Sequence, residues 1–196
     1  MTENPKPTTA ERRFPPLDPA TMSAAQKQAA ADMMASRKSL DGPFNGMLHS
    51  PELGDRLQRV GHYVRFMSPL AASLREIAIL LTARHWTAQF EWYAHRKLAL
   101  EAGLTPAICD AIAKGERPAG LDAAQSAVYD FAAALLATGQ VSDDVFDAVA
   151  RQFGEAGAAD LIGTVGYYTT VSFFLNVDRF PVPGGGTPLT PLKSRA

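Results

Sequence analysis

Only one cysteine, Cys109, occurs in the chain. No intrachain disulfide can form, which suits a reducing compartment. Neither sign of charge is in excess: 19 Lys and Arg stand against 20 Asp and Glu. No long basic run occurs, so the electrostatic footprint of a nucleic-acid binder is missing. No apolar stretch approaches the roughly 20 residues that span a bilayer. Residues 1–19 are rich in Pro, Thr and charge and lack the apolar core of a secretory signal. Period-two alternation is never sustained, so strands find no support. These absences leave a cytoplasmic, all-α protein with no membrane and no nucleic-acid partner as the expectation.

What is present fits one helical domain. The chain has 196 residues, 46% of them apolar and 20% charged, enough to bury a sizeable core. Residues 1–20 hold five prolines and read as an extended arm, either disordered or laid across a neighbouring surface. Residues 21–180 read as a succession of helices, and residues 181–196 as a Pro/Gly-rich tail. A first helix is expected over residues 24–38. Gly42-Pro43-Phe44-Asn45-Gly46 reads as a turn-rich loop. Ser50-Pro51-Glu52 is a strong helix start, with Ser as cap, Pro at the first helical position and an acid in the first turn. Leu53, Leu57, Val60, Val64 and Met67 then recur at three- and four-residue spacing, which predicts a buried stripe. Ser68-Pro69 ends that helix. Others are predicted over about 71–84 and 87–102, the latter closed by Gly103, and after Thr105-Pro106. Asp122 caps a further helix that ends at Gly139, and another runs from Ser142 to Gly154. A last apolar helix covers about 156–177, where Gly163 and Gly166 would permit close packing.

Chemistry concentrates between Glu76 and His95. Glu91 and His95 lie four apart, so on a helix the carboxylate and the imidazole share a face. Such a pairing raises imidazole basicity and sets its tautomer, as a general acid–base requires. Glu76 sits on the preceding helix. If the short Arg84-His85-Trp86 connection closes an antiparallel hairpin, Glu76 faces His95 across the seam. The bland alternative is a solvated Glu–His pair on a surface helix. Arg65, Arg75 and Arg84 flank this region and are candidate clamps for a substrate carboxylate, or else ordinary surface charges. His49, His62 and His85 do not match a zinc signature with Glu91 and His95, so no metal site is expected.

The layout resembles the carboxymuconolactone decarboxylase / alkylhydroperoxidase D superfamily, whose signature is a Glu, a Cys-x-x-Cys pair opening the next helix, and a His one turn beyond. Counted from Glu76, Ala88, Glu91 and His95 stand at offsets of 12, 15 and 19 residues. Glu76 and His95 match, while Ala88 and Glu91 occupy the cysteine positions. Gly42-Pro43-Phe44-Asn45-Gly46, Leu48-His49-Ser50-Pro51-Glu52-Leu53, Leu74-Arg75-Glu76, Ala102-Gly103-Leu104 and Gly166-Tyr167-Tyr168 also look like members of this group. The similarity thus spans about residues 40–180. It implies a helical subunit that assembles as a trimer or hexamer, with its site near a subunit interface.

In that group the paired cysteines carry peroxidase or disulfide chemistry. Without them, the resemblance implies the decarboxylase branch: a cofactor-free lyase acting on a small ring-derived carboxylate. His95 would be the acid–base and Glu76 and Glu91 its partners. Arg65, Arg75, Arg84, Tyr63, Asn45 and Tyr167 are the candidate substrate contacts. A cis–trans isomerase or tautomerase of an unsaturated keto-dicarboxylate would use the same residues, because both reactions pass through a dienolate. A helical oligomer that has lost catalysis is the third reading.

Overall fold

The computed structural model describes residues 12–36 and 39–192, and among them every regular element is helical. The α-helices are α1 (Ala24–Ser36), α2 (Pro43–Leu48), α3 (Pro51–His62), α4 (Ala72–His85), α5 (Gln89–Glu101), α6 (Pro106–Lys114), α7 (Ala123–Thr138) and α8 (Asp143–Asp178). Helix α8 is interrupted at Gly154, whose φ of 70° and ψ of 176° lie outside the helical region. The expected stop at that glycine is therefore present: two helical segments meet there at a kink. No helix among the described residues is long and apolar enough to cross a membrane. The expected extension of α1 over residues 37–38, and residues 1–11 and 193–196, lie outside the described residues.

Local chemistry sets several boundaries. The Thr105 side chain accepts from the Ile108 N–H at the start of α6. Asp122 and Gln125 close a reciprocal capping box at α7, the arrangement that satisfies two orphan N–H donors at once. Gly115 and Gly139 both end their helices at φ 74°, a left-handed conformation that costs glycine little. Pro51 opens α3 as expected, although the Ser50 side chain makes no capping hydrogen bond.

Helix α4 is the axis of the fold, with every residue from Glu76 to Arg84 buried. A helix apolar on all sides belongs at the centre of a bundle. On one side, Ile77 and Leu80 join Trp92, Ile112, Val128, Phe131 and Leu161 from α5, α6, α7 and α8. On the other, Ile79 joins Met33, Met47, Leu48, Tyr168 and Leu175 from α1, α2 and the second half of α8.

Three expectations are corrected here. The Gly42–Gly46 stretch is not a loop: Pro43 starts the short helix α2. The predicted stripe along α3 is buried only in part: Val64 is buried and Leu57 half-buried, but Leu53, Val60 and Met67 are exposed, while Gly54, Gln58 and Gly61 turn inward. Close approach of neighbouring backbone and side chains is the physical reason. A Cβ on Gly54 would lie 2.6 Å from the Met47 carbonyl oxygen, and one on Gly61 would lie 2.2 Å from the Tyr167 hydroxyl. Conversely, the glycines expected to allow close packing on α8 do not: Gly163 has ordinary contact at 3.8 Å and Gly166 has nothing within 4 Å.

Both terminal segments lie on the bundle. Arg12 pairs with the buried carboxylate of Asp178, and the Phe14 N–H donates to the same carboxylate at 2.7 Å. Asn45 on α2 accepts from the Leu17 N–H and donates to the Phe14 and Pro15 carbonyls. The described part of the arm thus lies across its own chain. In the tail, Gln89 makes a two-way pair with the Leu189 backbone at 2.8 and 2.9 Å, and Leu189 is buried.

Candidate active site

The α4–α5 hairpin brings the three expected groups together. Trp86, Thr87 and Ala88 connect the helices, and Thr87 turns the chain with a φ of 49°. The Ala88 N–H donates to the Ala83 carbonyl at 2.8 Å. Helix α8 holds the turn from outside: Asn176 donates to the Trp86 carbonyl at 2.8 Å, and the Trp86 indole N–H to Thr169 at 3.1 Å.

Across this seam His95 Nδ1 lies 2.7 Å from Glu76 Oε2, and its Nε2 lies 3.0 Å from Glu91 Oε1. All three side chains are buried. A carboxylate beside each ring nitrogen favours the doubly protonated imidazolium. Burial opposes that charge, but Glu91 and Glu76 together outweigh it, raising the His95 pKa from 6.5 to about 9.

A cavity of about 100 Å³ opens beside the cluster. Glu91 and His95 form part of its wall, with Arg65, Asp41, Tyr167 and Tyr168 as the other polar lining and Phe44, Phe90 and Val171 among the apolar. The His95 ring meets Tyr168 edge-on, their centroids 5.0 Å apart. Burial, then the charge of Glu91, pushes the Tyr168 phenol well above its usual range, with Arg65 pulling the other way. Tyr168 therefore stays a neutral hydrogen-bond donor. Arg65 arrives on a π-helical turn, Tyr63–Met67, closed by the Ser68 N–H donating to the Tyr63 carbonyl at 2.9 Å. Such turns are frequent at functional sites because the extra residue redirects the side chains.

The other sequence candidates lie elsewhere. Arg75 donates to the Ser68 and Leu70 carbonyls and braces the turn before α4. Buried Arg84 donates to the Ala113 and Thr190 carbonyls at 3.3 and 2.9 Å, tying the tail to α6. The Tyr63 hydroxyl donates to Asp160 at 3.2 Å and faces outward. Asn45 serves the arm, as described. Of the nine candidates, Glu76, His95, Glu91, Arg65 and Tyr167 gather at or directly behind the cavity. Tyr168, the second phenol of the Gly166-Tyr167-Tyr168 motif, and Asp41 also join the wall. Thr164, Tyr168 and Val171 are all buried at helical spacing, a signal for Tyr168. Asp41, in the segment before α2, had none.

No family model, no curated protein and no solved structure matches this chain.

Proposed function

We propose that this protein is a cofactor-free acid–base enzyme of the carboxymuconolactone decarboxylase type, acting on a small ring-derived carboxylate. The observation that carries the reading is the buried Glu76–His95–Glu91 row at the edge of a cavity lined by Arg65. Three buried titratable groups in contact in series cost desolvation energy, which a structural role does not require. Loss of CO₂ from a vinylogous β-keto-type acid leaves a dienolate that needs stabilisation and then a proton at carbon. Arg65 supplies the cation for a carboxylate, Tyr168 a neutral donor for the developing oxyanion, and the carboxylate–imidazolium row the proton. Thiol chemistry has little support. Cys109 is buried in the core, and its thiol is pushed up by burial, only partly offset by Arg96.

The same groups would serve a cis–trans isomerase or tautomerase, which shares the dienolate. We also propose a homo-oligomer, a trimer or hexamer: Leu53, Val60, Phe66 and Met67 are exposed on α3 and the turn that follows it, and Ile162 is exposed on α8, which packs against both. Exposed apolar residues grouped in this way mark association surfaces.

A proton NMR time course in D₂O, with a panel of small unsaturated lactone and keto-dicarboxylates, tests the activity. The expected result is deuterium incorporation with loss of the carboxylate carbon, absent in His95→Gln. Incorporation with every carbon retained moves the reading to isomerase. No turnover across the panel favours the non-catalytic helical oligomer.

A further inference from the structure

The row of three buried groups has a direction, and the two ends are not equivalent. Glu91 and His95 line the cavity, whereas Glu76 stands behind His95 on α4. Nδ1 is hydrogen-bonded to Glu76 at 2.7 Å, and Nε2 lies in ion-pair contact with Glu91 at 3.0 Å. A doubly protonated ring held between two carboxylates has no lone pair with which to take a substrate proton. Glu91 differs. Its bond to His95 uses Oε1, which leaves Oε2 as the carboxylate oxygen for a molecule in the cavity.

We infer that Glu91 is the group that exchanges a proton with substrate, and that His95 is a fixed cationic positioning residue between it and Glu76. This rests on the acid–base reading above and assigns the roles within it. In the isomerising mode, Oε2 takes a proton from carbon. The C–H bond breaks, its electron pair passes to the substrate enolate, and an O–H bond forms. Return of that proton to a second carbon restores the carboxylate, so no proton is consumed. In the decarboxylating mode Oε2 is first protonated from solvent. The C–C bond breaks, its pair stays on the dienolate, CO₂ leaves, and Oε2–H delivers its proton to carbon. His95 holds Oε1 throughout, which keeps the other oxygen aimed into the cavity. Tyr168, edge-on to the ring at 5.0 Å, and burial of the row prevent the imidazole from swinging out.

Wild-type protein treated with diazoacetamide, a small reagent that esterifies protonated carboxyl groups, tests the assignment without a known substrate. Cleavage after arginine places Glu76 as the sole acid of peptide 76–84 and Glu91 as the sole acid of peptide 85–96, so mass spectrometry reads each separately. The expected result is esterification of Glu91 at least tenfold faster than of Glu76. Equal labelling, preference for Glu76, or labelling of exposed Glu52 and Glu101 with neither buried acid touched overturns the assignment.

Nitrogen-15 NMR on the same protein should show both His95 nitrogens protonated at pH 7; a bare Nε2 overturns it equally. In His95→Gln the labelling preference for Glu91 over Glu76 should fall at least threefold, because the group that holds Oε1 is gone. An unchanged preference makes His95 a space-filling residue only. Failure of the substrate panel would leave these labelling results standing, so the two readings fail separately.

Discussion

The charge on His95 makes the stability of this protein depend on pH in a direction opposite to the usual acid-sensitive carboxylate. In the unfolded chain the imidazole titrates near 6.5, and in the folded protein it titrates at about 9. Below 6.5 both states hold the proton and the carboxylate–imidazolium–carboxylate row contributes fully. Between the two values only the folded state holds it, so unfolding releases a proton and stability falls as pH rises. Above about 9 the folded row has lost its cation and two carboxylates face a neutral ring. Each pH unit in the interval is worth about 1.4 kcal/mol, so the whole interval amounts to about 3 kcal/mol. For a chain of this length that corresponds to a drop in melting temperature of roughly 6–12 °C.

Urea unfolding at pH 6.5 and pH 9.5, at one protein concentration, measures the fall directly. Glu91→Gln keeps an acceptor for Nε2–H but removes one of the two charges that raise the histidine, so the pH-dependent fall should contract to roughly half. Stability that is flat or rises over this window would show that the imidazolium is not held between the carboxylates, and the geometry of the row would have to be abandoned.

Gly61→Ala should destabilise by about 1–3 kcal/mol, because its Cβ would meet the Tyr167 ring and hydroxyl at 2.2–2.8 Å; chemical denaturation checks it, and an unchanged midpoint contradicts the close α3–α8 contact. Gly166→Ala, on the exposed face of α8 with nothing within 4 Å, should instead stabilise by about 0.5–1 kcal/mol. Asp178→Asn removes the charge that pairs with Arg12 and should cost about 1.5–3 kcal/mol. Hydrogen exchange should then rise across residues 12–17, and continued protection there would refute the role of Asp178 as the arm's anchor. Phe66→Glu should lower the assembly state seen by sedimentation if the exposed face of α3 and its turn is the association surface.

Much of the helical skeleton was legible because its signals are local. Pro51, Thr105 with Pro106, the Asp122 cap and the terminating Gly139 all act within four residues of themselves. Glu91 and His95 share a face for the same reason, through the geometry of one helical turn. Misreadings arose where a residue's surroundings come from far along the chain. The apolar positions of α3 have helical spacing, but which face turns inward was decided by what α8 and α2 offered. Tyr167 and the Met47 carbonyl fit only against glycine. Arg75 and Arg84 looked like anion clamps beside the motif. In the folded chain, carbonyls of the turn before α4, of α6 and of the tail accept their hydrogen bonds instead, because a guanidinium drawn from water must find acceptors and backbone oxygens lay nearest.

The amino-acid order by itself determined that this chain is helical, roughly where its helices begin and end, and that a carboxylate and an imidazole share the face of α5. Helical periodicity and capping are short-range effects, and each is complete within a turn or two. Only the tertiary structure decided that Glu76 closes on His95 from another helix, that Arg65 rather than Arg75 or Arg84 reaches the cavity, and that Glu91 and His95 line it while Glu76 stands behind them. Those outcomes depend on the turn at Thr87, the π turn at Arg65 and the packing of α8, which bring together groups far apart along the chain.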